Sequence, residues 1–217
     1  MNSLFTEKGI VLKSEPIGEY DRRLVILTKD SGKISAFAKG ARRQGNHLMA
    51  ASDVFCFGDF KLYAGSNSYS LTDANILNYF PEFRSDLDCS LYGMYFLEAM
   101  NYFTRENNDE EKMLILLYQS LRAVISPNFD NRLVKAIFEL KVMCLMGEFS
   151  PEECFLSDKV YSDSLKYTVN FIYSTSPIGI YKFALKDEVL LELIGLCEIY
   201  KDKLWKHEFT SETLLKI

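Results

Sequence analysis

The chain reads as an α+β protein in which a small β-barrel precedes a helical domain. Up to residue 80 the apolar residues come in short runs parted by Gly, Pro, Asn and Asp, the texture of strands and turns. From residue 86 they recur at every third or fourth position, the period of helices. The change falls at Pro81. Five short strands within 80 residues suit a five-stranded barrel, for which the OB architecture is the natural candidate. Residues 1–80 are therefore expected to form an OB-fold domain and residues 81–217 an α-helical domain.

Residues 8–14 (KGIVLKS) make a first strand, ended by Glu15-Pro16-Ile17-Gly18. Residues 24–28 and 33–39 make the second and third, joined by Lys29-Asp30-Ser31-Gly32, whose Asp and Gly suit a tight antiparallel connection. The third alternates cleanly: Ile34, Ala36 and Ala38 share one face, and Lys33, Ser35, Phe37 and Lys39 share the other. Gln44-Gly45-Asn46 reads as a mobile loop. Residues 54–63 form a fourth strand with a bulge or bend at Gly58, and residues 69–80 a fifth.

Helical spacing then runs through Leu87, Leu91, Met94, Leu97 and Tyr102. A second helix spans 109–125, and a third spans 130–146 and stops at Gly147. Ser150-Pro151-Glu152-Glu153 has the cap, proline and acid of a helix start. Residues 161–181 are expected to be irregular or extended, and 187–204 to form a last amphipathic helix.

Composition is that of an ordinary globular chain, 48% hydrophobic and 25% charged. No apolar run reaches the length of a membrane span, and the N-terminus lacks the apolar stretch of a signal peptide, so a cytoplasmic protein is expected. The five cysteines are scattered and odd in number, which points to reduced, mostly buried thiols. Net charge is −5, but it is uneven. Residues 1–80 carry ten Lys and Arg against eight Asp and Glu; residues 81–217 carry fifteen against twenty-two. Residues 33–43 hold four of those ten cations and no acid.

That basic segment is the candidate site. On the third strand's polar face Phe37 stands between Lys33 and Lys39, a surface on which a base stacks while the lysines meet phosphates. Arg42 and Arg43 continue the charge into the following loop. Arg22 and Arg23 are secondary candidates, because Glu19 and Asp21 stand beside them to pair. Lys8, Lys13 and Lys61 read as ordinary surface lysines. The chain has no phosphate-binding loop, no H-E-x-x-H and no G-x-S-x-G, and its acidic clusters sit at helix starts, so a non-enzymatic binding protein is expected.

Taken together, GIVLKSEPIGEYDRRLVILTKDSGKISAFAKGARR resembles the N-terminal domain of the RecO family of bacterial DNA repair proteins. The order is specific: G-I-V-L, a G-E-Y-D turn, a T-x-x-x-G-K hairpin, then A-K-G-A-R-R. Phe138-Glu139-Leu140 with Met146-Gly147, and residues 174–185, extend the resemblance along most of the chain. It implies an OB domain followed by a helical domain. The implied activity is recombination mediation: binding single- and double-stranded DNA, annealing complementary strands, and helping load RecA onto DNA covered by single-strand binding protein. The implied partners are RecR and the acidic C-terminal tail of that binding protein, in a cytoplasmic, nucleoid-associated setting. Arg132 and Lys135 are candidate cations at the rim of a groove for the tail. Many members carry a four-cysteine zinc site after the glycine matched by Gly147. Here Cys154 has no C-x-x-C partner, because Ser157 stands where a cysteine is needed. Residues 147–175 therefore read as a degenerate zinc region, with no metal or cofactor and with Phe155, Phe171 and Tyr173 packing in its place. The alternative is a protein-interaction adaptor built on an OB domain that does not bind DNA.

Overall fold

The computed structural model describes residues 3–65, 68–156 and 159–215. The five strands are β1 (Ser3–Ile17), β2 (Asp21–Thr28), β3 (Lys33–Ala38), β4 (Phe57–Ala64) and β5 (Tyr69–Asn78). They close into a barrel in the order β1-β2-β3-β5-β4, the OB arrangement in which β3 and β5 pair in parallel. β1 is the closing element. Its residues 3–10 pair with β4 and its residues 9–17 with β2, across an irregularity between Val11 and Lys13 that lets one strand serve two neighbours. It is longer at both ends than expected, and β2 begins three residues earlier than expected, because cross-strand pairing recruits residues with no strand signal of their own.

The alternation of β3 is realised as far as Ala38, where the strand ends; Lys39, expected on its outer face, lies in the turn that follows. Ile34, Ala36 and Ala38 are buried with Leu24, Ile26, Phe60 and Leu62, while Lys33, Ser35 and Phe37 are half-buried on the outer face. Gly58 sits at a register shift, and a Cβ there would come within 2.2 Å of the Asn75 carbonyl oxygen. The fourth strand starts at Phe57 rather than at residue 54, because the chain first turns at residues 52–55. After the loop containing Gly45 comes a short helix, α1 (Leu48–Ala51), which the sequence reading missed; its Leu48 joins the barrel core.

The helices are α2 (Glu82–Ser85), α3 (Leu87–Phe103), α4 (Glu111–Val124), α5 (Asn131–Leu145), α6 (Pro151–Phe155), α7 (Asp163–Ser174), α8 (Asp187–Leu204) and α9 (Thr210–Leu215). The expectation of irregular chain over 161–181 is overturned by α7. The Ser162 hydroxyl caps it, accepting from the Leu165 amide at 3.1 Å, and Leu165, Val169 and Ile172 form its buried stripe. Every residue of α5 from Leu133 to Met143 except Lys135 is buried, Glu139 and Lys141 included.

Two compact units divide the chain: Met1–Ser85 with Phe96–Leu114, and Asp86–Tyr95 with Ile115–Ile217. All five cysteines are free. Among the described residues no group of three or more His, Cys, Asp or Glu is placed to hold a metal; Ser157 lies outside them. Phe155 packs edge-on against Tyr161 and Phe171 against Phe183, while Tyr173 is exposed. No helix among the described residues is long and apolar enough to cross a membrane.

Candidate nucleic-acid interface

The β2–β3 pairing builds the site. Arg23 lies opposite Phe37, Val25 opposite Ser35 and Leu27 opposite Lys33, all on the outer face. The Arg23 Nε donates to the Ser35 hydroxyl at 2.9 Å, and both line the same cleft as Phe37. β5 joins the edge of β3, with Ala36 beside Tyr69 and Phe37 beside Ser70. Arg23, Ser35 and Phe37, with Ala64, Gly65, Ser68 and Tyr69 at the β4–β5 connection, line an open cleft of about 630 Å³. In OB folds the β2–β3 face and the β4–β5 loop are where oligonucleotides bind. Glu106 forms the cleft's acidic side.

At its other end the face is covered. The Lys33 amide donates to the Arg105 carbonyl at 2.8 Å, and the Lys33 Nζ donates to the Asn101 carbonyl. Burial, and after it the neighbouring Arg105, hold the Lys33 ammonium below the usual lysine value. Gly32 is required here: its φ is +69°, and a Cβ would stand 2.2 Å from the Arg105 carbonyl oxygen.

Beyond β3 the chain folds back on the β1–β2 turn. The Asp21 carboxylate accepts from the Gly40 amide at 2.7 Å, and the Arg42 amide donates to the Tyr20 carbonyl at 2.8 Å. Lys39, Arg42 and Arg43 are all exposed. Arg42 donates to the Gly18 carbonyl at 3.1 Å, and the Arg43 guanidinium lies 4.5 Å from the Tyr20 ring centre. Arg22 points elsewhere. Its guanidinium donates to the Ser52 carbonyl at 3.1 Å and pairs with Asp53, which Arg84 also meets at 2.6 Å.

The fold thus brings Arg23 and Phe37 into one cleft, places Lys39, Arg42 and Arg43 on an adjoining loop, and commits Lys33 and Arg22 to contacts within the protein. Sequence reading missed Ser68, Tyr69 and Glu106. The parallel β3–β5 pairing brings in the first two, and a bridge between Gly32 and Glu106 brings in the third.

The two cations expected at the rim of a helical groove are separately engaged. Arg132 pairs with its own helix cap, Asp130, at 2.6 Å, and reaches Asp187 at 3.5 Å. Lys135 bonds Glu139 at 2.7 Å and Glu212 at 2.9 Å, and lies 5.1 Å from the centre of the Tyr95 ring.

A five-stranded barrel of OB topology with a cleft on its β2–β3 face, followed by helices, defines an α+β protein of the OB-fold class. Residues 1–80 match the family Recombination protein O N terminal, and residues 84–154 match Recombination protein O C terminal. The chain is 26% identical to the DNA repair protein RecO of Acetivibrio thermocellus across all of this chain and 97% of that one. It is 28% identical to that of Clostridium novyi, over 94% of this chain and 86% of the relative. For that of Thermoanaerobacter sp. strain X514 the identity is 30%, over 77% and 67%. The chain belongs to the RecO family of DNA repair proteins.

Proposed function

We propose that this chain is a non-enzymatic recombination mediator. It binds single- and double-stranded DNA, anneals complementary strands, and helps load RecA onto DNA covered by single-strand binding protein. The observation that carries this reading is the cleft in which Phe37 lies opposite Arg23 beside the β4–β5 connection, in a chain of the RecO family. Phe37 offers a face to an unpaired base, while Arg23, Lys39, Arg42 and Arg43 neutralise backbone phosphates. RecR and the acidic tail of single-strand binding protein are its partners, and it works in the cytoplasm at the nucleoid. Of the two candidate cations for the tail, Arg132 is the exposed one and Lys135 is half-buried.

Titration of labelled single-stranded DNA at two salt concentrations tests this. Log affinity falls steeply with log salt, and Lys39→Ala lowers the slope by about one unit or less. Phe37→Ala weakens single-strand binding by roughly 1–3 kcal/mol, leaves the slope nearly unchanged and affects duplex binding less. Absence of salt-sensitive binding would replace the mediator with an adaptor that docks a protein on its barrel.

A further inference from the structure

The strand registers place residues of all five strands in one continuous row. Leu4 of β1 lies opposite Tyr63 of β4, Tyr63 opposite Ser70 of β5, and Ser70 beside Phe37 of β3. Phe37 in turn lies opposite Arg23 of β2, and Arg23 opposite Glu15 of β1. Directly paired residues point to the same side of a sheet. Phe37 is on the outer face, because its neighbours Ala36 and Ala38 are buried in the core. Tyr63 is outward by the same test: Leu62 is buried in the core, and Tyr63 itself is 38% exposed. The row is therefore an external belt with two aromatics separated by a serine.

We infer that Tyr63 is a second stacking position for a single strand, which crosses β3, β5 and β4 around the barrel instead of running along β3. This rests on the DNA-binding reading above. Two strand spacings put the Phe37 and Tyr63 positions roughly 10 Å apart, about three times the 3.4 Å rise of stacked bases. Bases seated on both rings are separated from each other, as an extended single strand allows and a duplex does not. The small Ser70 between them leaves room for the connecting sugar and phosphate. Charge agrees with this direction at one end, where Arg23 stands; Lys61, exposed on β4 two residues from Tyr63 on the same outer face, has Asp73 of β5 opposite it. Past Arg23 the row meets Glu15, which pairs with Lys13 at 2.7 Å and closes that end to phosphate.

Binding of oligothymidylate by the full-length chain tests the belt. Tyr63→Ala weakens it about 5- to 160-fold, as Phe37→Ala does, with little change in duplex binding. Tyr173→Ala, another exposed tyrosine, leaves it unchanged. If Phe37→Ala weakens binding and Tyr63→Ala does not, the belt is wrong and the cleft at Phe37 stands. If neither does, oligothymidylate binds elsewhere on the chain and both the cleft at Phe37 and the belt are wrong; if the parent chain itself shows no salt-sensitive binding, the DNA-binding reading fails and takes the belt with it. Tyr63→Trp gives an independent measure that keeps an aromatic at the position. Its fluorescence above that of the parent chain, whose sole tryptophan is Trp205, is quenched as oligothymidylate saturates. An unquenched Tyr63→Trp in a chain that binds oligothymidylate overturns the inference.

Discussion

Arg22 and Arg23 are consecutive residues of β2, and strand geometry sends them to opposite sides of the sheet. Arg22 ties β2 to Ser52 and Asp53, while Arg23 shares the cleft with Phe37. Arg22→Ala should therefore lower stability by about 1–2 kcal/mol, with DNA affinity per folded molecule unchanged. Arg23→Ala should do the reverse, weakening DNA binding and leaving the melting temperature nearly fixed. Equal effects of the two on affinity would contradict this division. In the sequence the two arginines look alike, because Ser52 lies thirty residues from Arg22 and no local pattern announces the pairing. Lys33 is a similar case. Its outward direction was legible from the alternation of β3, but its cover was not, since Asn101 lies 68 residues away. Phe37 was legible for the converse reason: its placement depends on strand period alone.

Among the elements, α8 runs from Asp187 to Leu204 as its apolar spacing indicates, whereas α9 is six residues long and carries no periodic signal. The pattern of α7 was present in Ser162, Leu165, Val169 and Ile172, but its β-branched and aromatic residues read as extended chain. What holds α9 is a partly buried ion cluster. Glu212 accepts from Lys135 at 2.9 Å and from Lys201; Lys201 also meets Glu139 at 2.7 Å, and the Tyr95 hydroxyl donates to Glu139 at 2.6 Å. Burial alone would raise the Glu212 carboxyl, but the two ammoniums more than offset it and hold it below its ordinary 4.5. Burial alone would lower Lys135, and the carboxylates of Glu139 and Glu212 instead hold it above its ordinary 10.5. The contribution of Glu212 is thus complete above pH 4.5 and is lost as pH falls through its lowered value. That of Lys135 is complete below pH 10.5 and is lost only as pH rises through its raised value. Glu212→Gln should cost about 2–3 kcal/mol at neutral pH, where it leaves two ammoniums to one carboxylate. Its deficit against the unmodified chain should shrink as pH falls below 4.5, because a protonated Glu212 and a glutamine are nearly equivalent. Denaturant unfolding followed through Trp205, which packs 5.8 Å from Phe209 just before α9, reads both effects. A deficit that stays constant with pH would show that Glu212 acts through packing and not through charge.

At the scale of the whole molecule, the change of hydrophobic period at Pro81 was legible, but the unit that contains the barrel also takes in residues 96–114. The reason lies in backbone hydrogen bonds. The Lys33 amide donates to the Arg105 carbonyl at 2.8 Å, Asn107 to Ser31 at 3.0 Å and Glu110 to Lys29 at 3.3 Å, so this segment completes the polar groups of the β2–β3 hairpin. Period analysis does not find such ties, because it reports the kind of element and not its neighbours. Cooperative opening follows shared hydrogen bonds and burial, not sequence order. Native-state hydrogen exchange in low denaturant should therefore show the amides of Lys33 and Asn107 opening with that of Thr28, which donates to Gly32 at 2.8 Å inside the hairpin. Amides of α5 and α8 should open as a separate set. Gly32→Ala sharpens the test, since its Cβ would meet the Arg105 carbonyl oxygen at 2.2 Å in a left-handed turn. It should strip protection from Lys33 and Asn107 first and leave α5 as it was. If residues 96–114 instead exchange with α5 and α8, the cooperative boundary lies near residue 81, and the covered end of β3 opens without cost to the barrel.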